Sequence, residues 1–132
     1  MFLKDYLDPD LATKAIPFCV KLLQHHNVKV ELLHEICSYL NLVACRAPEI
    51  LVDYVYYILN AVQKGHTSLT HLLFQICEYN IECIYPLTRN LIKILKIIQS
   101  VPDLINVLQI IYLISLNHVQ VKYLYFSINP SS

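Results

Sequence analysis

A chain of 132 residues with ten Lys and Arg against ten Asp and Glu has no net charge, so it lacks the electrostatic footprint of a nucleic-acid binder. It is 56% hydrophobic, ten Tyr included, and 15% charged, where ~25% charged is usual; that composition supports one domain with apolar surface to spare. The single glycine, Gly65, excludes the glycine-rich phosphate loops of nucleotide enzymes and Asn-Gly hairpins.

Hydrophobic periodicity and punctuation divide the chain into six expected helices. Residues 1–10 read as an N-terminal extension, 11–118 as a helical repeat domain and 119–132 as a partly disordered tail. The first helix spans about 11–25 and ends in QHHN, and the second spans about 29–45. Pro48 and Glu49 suit the first turn of a third helix, which Gly65 closes as a C-terminal cap. Thr67 is the expected N-cap of a fourth helix, about 68–79. The fifth covers about 81–99, and Pro102 and Asp103 open the sixth, about 102–116. Pro17 and Pro86 fall inside helices and should kink or start them. The run LINVLQIIYLISL at 104–116 carries Asn106 and Gln109 and is too short for a membrane span; it reads as a buried helix. Beyond it VQVKYLYF alternates weakly, and SINPSS is polar and expected to fray.

A repeat organises these helices. Residues 32–39 read LLHEICSY and residues 72–79 read LLFQICEY; LVDYVYYI at 51–58 is followed forty residues later by LIKILKII at 91–98. A period near 40 is the mark of stacked helical pairs of the HEAT or armadillo kind. Leu33, Ile36, Cys37 and Leu40 share one helix face, and Leu73, Ile76 and Cys77 repeat it, with cysteine acting as a small hydrophobe at a close helix approach. The expected fold is all-α: a short right-handed solenoid of about three helical hairpins, each unable to bury both faces alone.

No residue announces a chemistry. Five cysteines with no secretory leader suit free thiols in a reducing, cytoplasmic setting. His25, His26, His34 and Cys37 are near in sequence, but Phe74 stands where the repeat would need a second His34. Cys77 and Cys83 lie five residues apart, wider than a zinc knuckle, and read as core thiols. Several carboxylates sit near helix N-termini, where they serve the dipole. Tyr54, Tyr56 and Tyr57 read as packing between repeats. Arg89, Lys93 and Lys96 form a modest basic stripe, ordinarily a solvated face and otherwise a lipid or anion site. No catalytic, metal or cofactor site is expected.

The runs AIPFCVKLL at 15–23, YLNLVA at 39–44 and GHTSL at 65–69 give the pattern AIPxxVKxL, YLxLxA, GxTxL in order. In this the chain resembles the N-terminal region of the melted family, over about residues 12–116. The resemblance implies an armadillo-like helical region belonging to an intracellular, non-catalytic adaptor. Family members act at the membrane in insulin/TOR and growth signalling and carry a C-terminal PH domain that binds phosphoinositides. This sequence leaves no room for a PH domain. Its QHHNVKVE turn is longer than the family's, and its tail after about Ser115 departs from the pattern.

The functional expectation is a non-enzymatic scaffold or adaptor module with protein partners. Its binding face is expected along the second helix of each pair: Glu31, His34, Glu35, Ser38, His71, Gln75, Glu78, Asn106 and Gln109. The alternatives are a membrane-peripheral, lipid-contacting helical protein, with membrane association arising through a longer product, or an unstable fragment of a longer solenoid.

Overall fold

The computed structural model describes residues 7–25 and 27–128, with side chains through Asn117. Most of the expected N-terminal extension, His26 and the last residues of the SINPSS tail lie outside the described residues. Among those described there are six α-helices and no strand.

The first helix, α1 (Pro9–Leu23), starts two residues earlier than the pattern suggested. Asp8 accepts from the amides of Asp10 at 3.0 Å and Leu11 at 3.4 Å, and Pro9 at the first helical position lacks an amide that had no partner anyway. Pro17 neither starts nor ends α1. The carbonyl it leaves without an amide belongs to Thr13, on an exposed position where water can replace it. The second helix, α2, spans Val30–Arg46.

Pro48 opens the next segment as expected, but the chain first makes two tight 3-10 turns, Pro48–Ile50 and Val52–Tyr54. They are closed by Leu51 N to Pro48 O at 3.0 Å and Tyr54 N to Leu51 O at 2.9 Å, and they turn around the fully buried Leu51. The α-helical part, α3, is Val55–Gln63. Gly65 ends it with φ +117°: its amide donates to Val62 O at 3.0 Å, and the amide of His66 donates back to Ala61 O at 3.1 Å. This paired closure needs a left-handed residue, which glycine alone adopts without a Cβ penalty.

Thr67 is not an N-cap. A 3-10 turn, Thr67–Leu69, intervenes, and α4 (Thr70–Tyr79) begins on a buried threonine with no side-chain cap. The expected fifth helix is split. Asn80 accepts from Glu82 N at 3.2 Å and caps a 3-10 helix, Ile81–Leu87, that contains Pro86; α5 follows as Thr88–Leu95. Pro86 has no amide for an α-helical bond, so regular winding waits until after it. The last helix, α6, runs Val101–Ile128, past the end expected near 116 and through the stretch read as weakly alternating.

Packing explains the doubled phrase. The odd-numbered helices are neighbours in succession, α1 to α3 to α5. The even-numbered ones follow suit, α2 to α4 to α6, and each odd helix rests on the even helix after it. The result is two layers with a core between them. Ile36 and Ile76 take matching buried seats, as do Leu51 and Leu91. Leu33 and Cys37 are only half-buried whereas Leu73 and Cys77 are buried, because α4 is flanked by a helix on both sides and α2 on one. The match also fails elsewhere: Val52 is half-buried but Ile92 is exposed, Leu32 is exposed but Leu72 is buried, and Tyr39 is half-buried but Tyr79 is exposed.

Polar clamps fix the stack. Gln24 Nε2 donates to Tyr57 O at 3.0 Å, Lys64 Nζ donates to Gln24 O at 2.9 Å, and Asn60 donates to Gln24 Oε1, so the end of α1 is tied to α3. Thr70, the one polar residue buried among the described residues, donates to Asp103 Oδ1 at 3.3 Å and accepts from Asn106 Nδ2 at 3.2 Å. That triad joins the starts of α4 and α6. Contrary to expectation, Tyr56 and Tyr57 do not pack between repeats. Both are exposed and meet each other edge-to-face at 5.5 Å, while Tyr54 alone leans on the core.

Candidate functional site: the outer side of the second helices

A helix buried along one flank presents its other flank at a spacing of three and four residues. On α2 that outward flank carries Glu31, His34, Glu35 and Ser38, all exposed; on α4 it carries His71 and Glu78, exposed, and Gln75, half-buried. Glu31 and His71, Glu35 and Gln75, and Ser38 and Glu78 are each forty residues apart, so adjoining helices present equivalent positions side by side. Seven of the nine sequence-selected positions thus fall on α2 and α4, six of them exposed and Gln75 half-buried. On α6, Gln109 is exposed, but Asn106 is half-buried and turned in to Thr70. Asn106 is therefore part of the internal clamp, because the α4–α6 junction needs a donor for the buried threonine hydroxyl.

Three residues that the sequence reading passed over complete this surface. Cys45 is exposed near the end of α2 and accepts a long contact from Gln75 Nε2 at 3.5 Å. Asn41, one turn before it, is half-buried, and Phe74 is half-buried beside His71 and Glu78. Asn41 Oδ1 and Gln75 Oε1 are buried acceptors with no hydrogen-bond partner among the described residues, which is uncommon and costly. The forty-residue phrase held the signal for Phe74, as the counterpart of His34; nothing in the sequence marked Asn41. A shallow depression of about 250 Å³ borders Glu78, between α4 and α6, with Cys77 in its lining.

The thiols are tuned by packing. Burial pushes the Cys19 thiol up, and likewise that of Cys37, with a contact to Ser68 opposing the rise in Cys37. The hydrogen bond to Cys83, added to burial, holds Cys77 protonated well above the ordinary thiol range, and the same bond lowers Cys83. Desolvation raises Tyr39, whose hydroxyl is buried without a partner. Thiols held protonated are poor nucleophiles and metal ligands. Of the histidine cluster, His25 and His34 are exposed, whereas Cys37 is half-buried against Ser68. Among the described residues no three His, Cys, Asp or Glu side chains come together as a metal-holding group.

The basic stripe lies elsewhere. Arg89, Lys93 and Lys96 are exposed on and just after α5, in the other layer, next to the exposed Ile92 and Ile97. Among the described residues no helix is long and apolar enough to cross a membrane.

The chain is similar to the human ventricular zone-expressed PH domain-containing protein homolog 1. Identity is 27% over 112 residues, which is 83% of this chain and 13% of that protein. This marks a distant relationship. The chain spans about an eighth of the length of the curated relative it matches. No family model matches the chain, and no solved structure matches it.

Proposed function

We propose that the chain is a non-enzymatic protein-interaction module: a short HEAT- or armadillo-like solenoid that serves as scaffold or adaptor in cytoplasmic signalling. The observation that carries this reading is the surface shared by α2 and α4. It repeats exposed polar side chains at matching positions, Glu31 with His71 and Ser38 with Glu78. The exposed carboxylates Glu31, Glu35 and Glu78 would accept from a ligand peptide or helix supplying amide or basic donors. The solenoid reading is supported by the two-layer succession of neighbours and by the matched burial of Ile36 with Ile76 and Leu51 with Leu91. The signalling reading is supported by the distant likeness to a PH domain-containing protein.

Affinity capture from cells tests it, comparing the native chain with a variant changed at His34, Glu35, His71 and Glu78. These positions are exposed, so each substitution should shift stability by no more than about 0.5 kcal/mol. Loss of specific partners with an unchanged circular dichroism spectrum is expected. Capture of the same partners by both proteins would overturn the reading.

A second reading is favoured by one observation, the pairing of Arg89, Lys93 and Lys96 with exposed Ile92 and Ile97 on and just after α5. Basic and apolar side chains on one helix flank suit an anionic lipid surface. Flotation with anionic liposomes that is lost in a Lys93→Glu, Lys96→Glu variant would favour it over the first.

A further inference from the structure

The last helix carries a surface that the fold leaves open. Val107 and Ile110 are fully buried, and they set the core side of α6. On the opposite side Val101, Ile105, Leu108, Tyr112 and Leu116 form a line of exposed apolar side chains, led by Val101 at 66% and Tyr112 at 65% exposure. Their spacing of four, three, four and four residues is that of a helix-pairing seam. The only charged residue of α6 with a described side chain, Asp103, lies off this line and is bonded to Thr70. The exposed apolar area sums to roughly 500 Å², at the top of what an ordinary monomer shows in one patch.

We infer that this seam is the contact for a second copy of the chain, α6 against α6 in antiparallel order. The seam is nearly palindromic about positions 108 and 109. Reversing one copy sets Val101 against Leu116, Ile105 against Tyr112, and Leu108 beside Leu108. The same patch therefore complements itself, as a two-fold interface requires. Antiparallel pairing also opposes the two helix dipoles. Among the described side chains no like charges meet along the line, and the exposed Gln109 and Ser115 beside it supply a polar rim. Roughly 500 Å² per copy is the apolar core of an interface whose standard size is about 800 Å² per partner. A competing seat exists at the other end, where α1 exposes Leu11, Phe18 and Leu22 in the same register. It has fewer large side chains, and using it with α6 would give open-ended growth.

Sedimentation equilibrium of the full chain up to about 100 µM tests the inference. The native chain is expected as a dimer. Leu108→Lys and Leu108→Glu each place like charges near the two-fold axis and should weaken the dimer by at least ~100-fold, since such contacts cost several kcal/mol. An equal mixture of the two variants should recover it, and Phe18→Glu should leave it intact. Circular dichroism checks each fold; should position 108 disturb it, Tyr112→Ser is the substitute and should dissociate the dimer as well. A monomer at the highest concentration would overturn the inference. So would mass growing past two copies, dissociation by Phe18→Glu, or a mixture that stays monomeric.

Discussion

Ile76 and Ile36 occupy the same place in the repeated phrase but not the same place in the stack, and shortening each to alanine separates those facts. Ile→Ala removes three carbon groups, worth about 2.4 kcal/mol at ~0.8 kcal/mol each. Ile76 is fully buried on α4, which has helices on both flanks. The hole it leaves can hardly collapse, and a residual cavity near 50 Å³ adds about 1.2 kcal/mol at ~24 cal/mol per Å³. Ile36, 4% exposed, sits on α2, which has one free flank and can relax inward. Ile76→Ala should therefore cost about 3–4 kcal/mol and Ile36→Ala about 2–3 kcal/mol. Urea unfolding followed by circular dichroism measures both, with midpoints compared at equal slope. An equal or larger loss for Ile36→Ala, or a loss under about 1.5 kcal/mol for Ile76→Ala, would refute the central placing of α4.

Thr70→Val keeps the shape of a fully buried side chain but removes its bonds to Asp103 and Asn106; a loss of about 1.5–3 kcal/mol in the same assay is expected, because one of the two partners is charged. Gly65→Ala meets no atom within 4 Å, yet forces φ +117° on a residue with a Cβ, so thermal unfolding should show a loss of about 1–2 kcal/mol of backbone origin. Cys77 has a folded-state pKa raised by its bond to Cys83 and by burial. Its contribution to stability is complete below the thiol's unfolded pKa and falls away as pH rises above it. Urea midpoints should therefore decline above about pH 9, and less steeply in Cys77→Ala.

Much of the fold was legible because burial repeats. The Ile36 and Ile76 pair and the Leu51 and Leu91 pair announce the stack, and Gly65 announces the left-handed turn that ends α3. Other features were hidden by context. Pro17 reads as a helix breaker, but its lost bond falls on the solvent side and α1 continues. Pro86 reads the same way and does divert the chain, into a 3-10 helix. Thr67 has the right chemistry for a cap, yet the cap geometry goes unused because a 3-10 turn delivers Thr70 into the core. Exposed polar positions on α2 and α4 could be found from spacing, since a helix has one outward flank. Asn106 could not, because only the packed α4–α6 junction makes it a partner for Thr70. The stretch 104–116 read as a buried helix, yet Ile105, Leu108, Tyr112 and Leu116 are exposed, because periodicity shows that apolar residues share a face, not whether a neighbour covers it.

The most direct test of the proposed interaction surface is hydrogen exchange by mass spectrometry, with and without the first partner identified by capture. Added protection of α2 and α4, centred on residues 31–45 and 71–78, is the predicted result. Protection confined to α5 around Arg89, Lys93 and Lys96, or to α1, would contradict it.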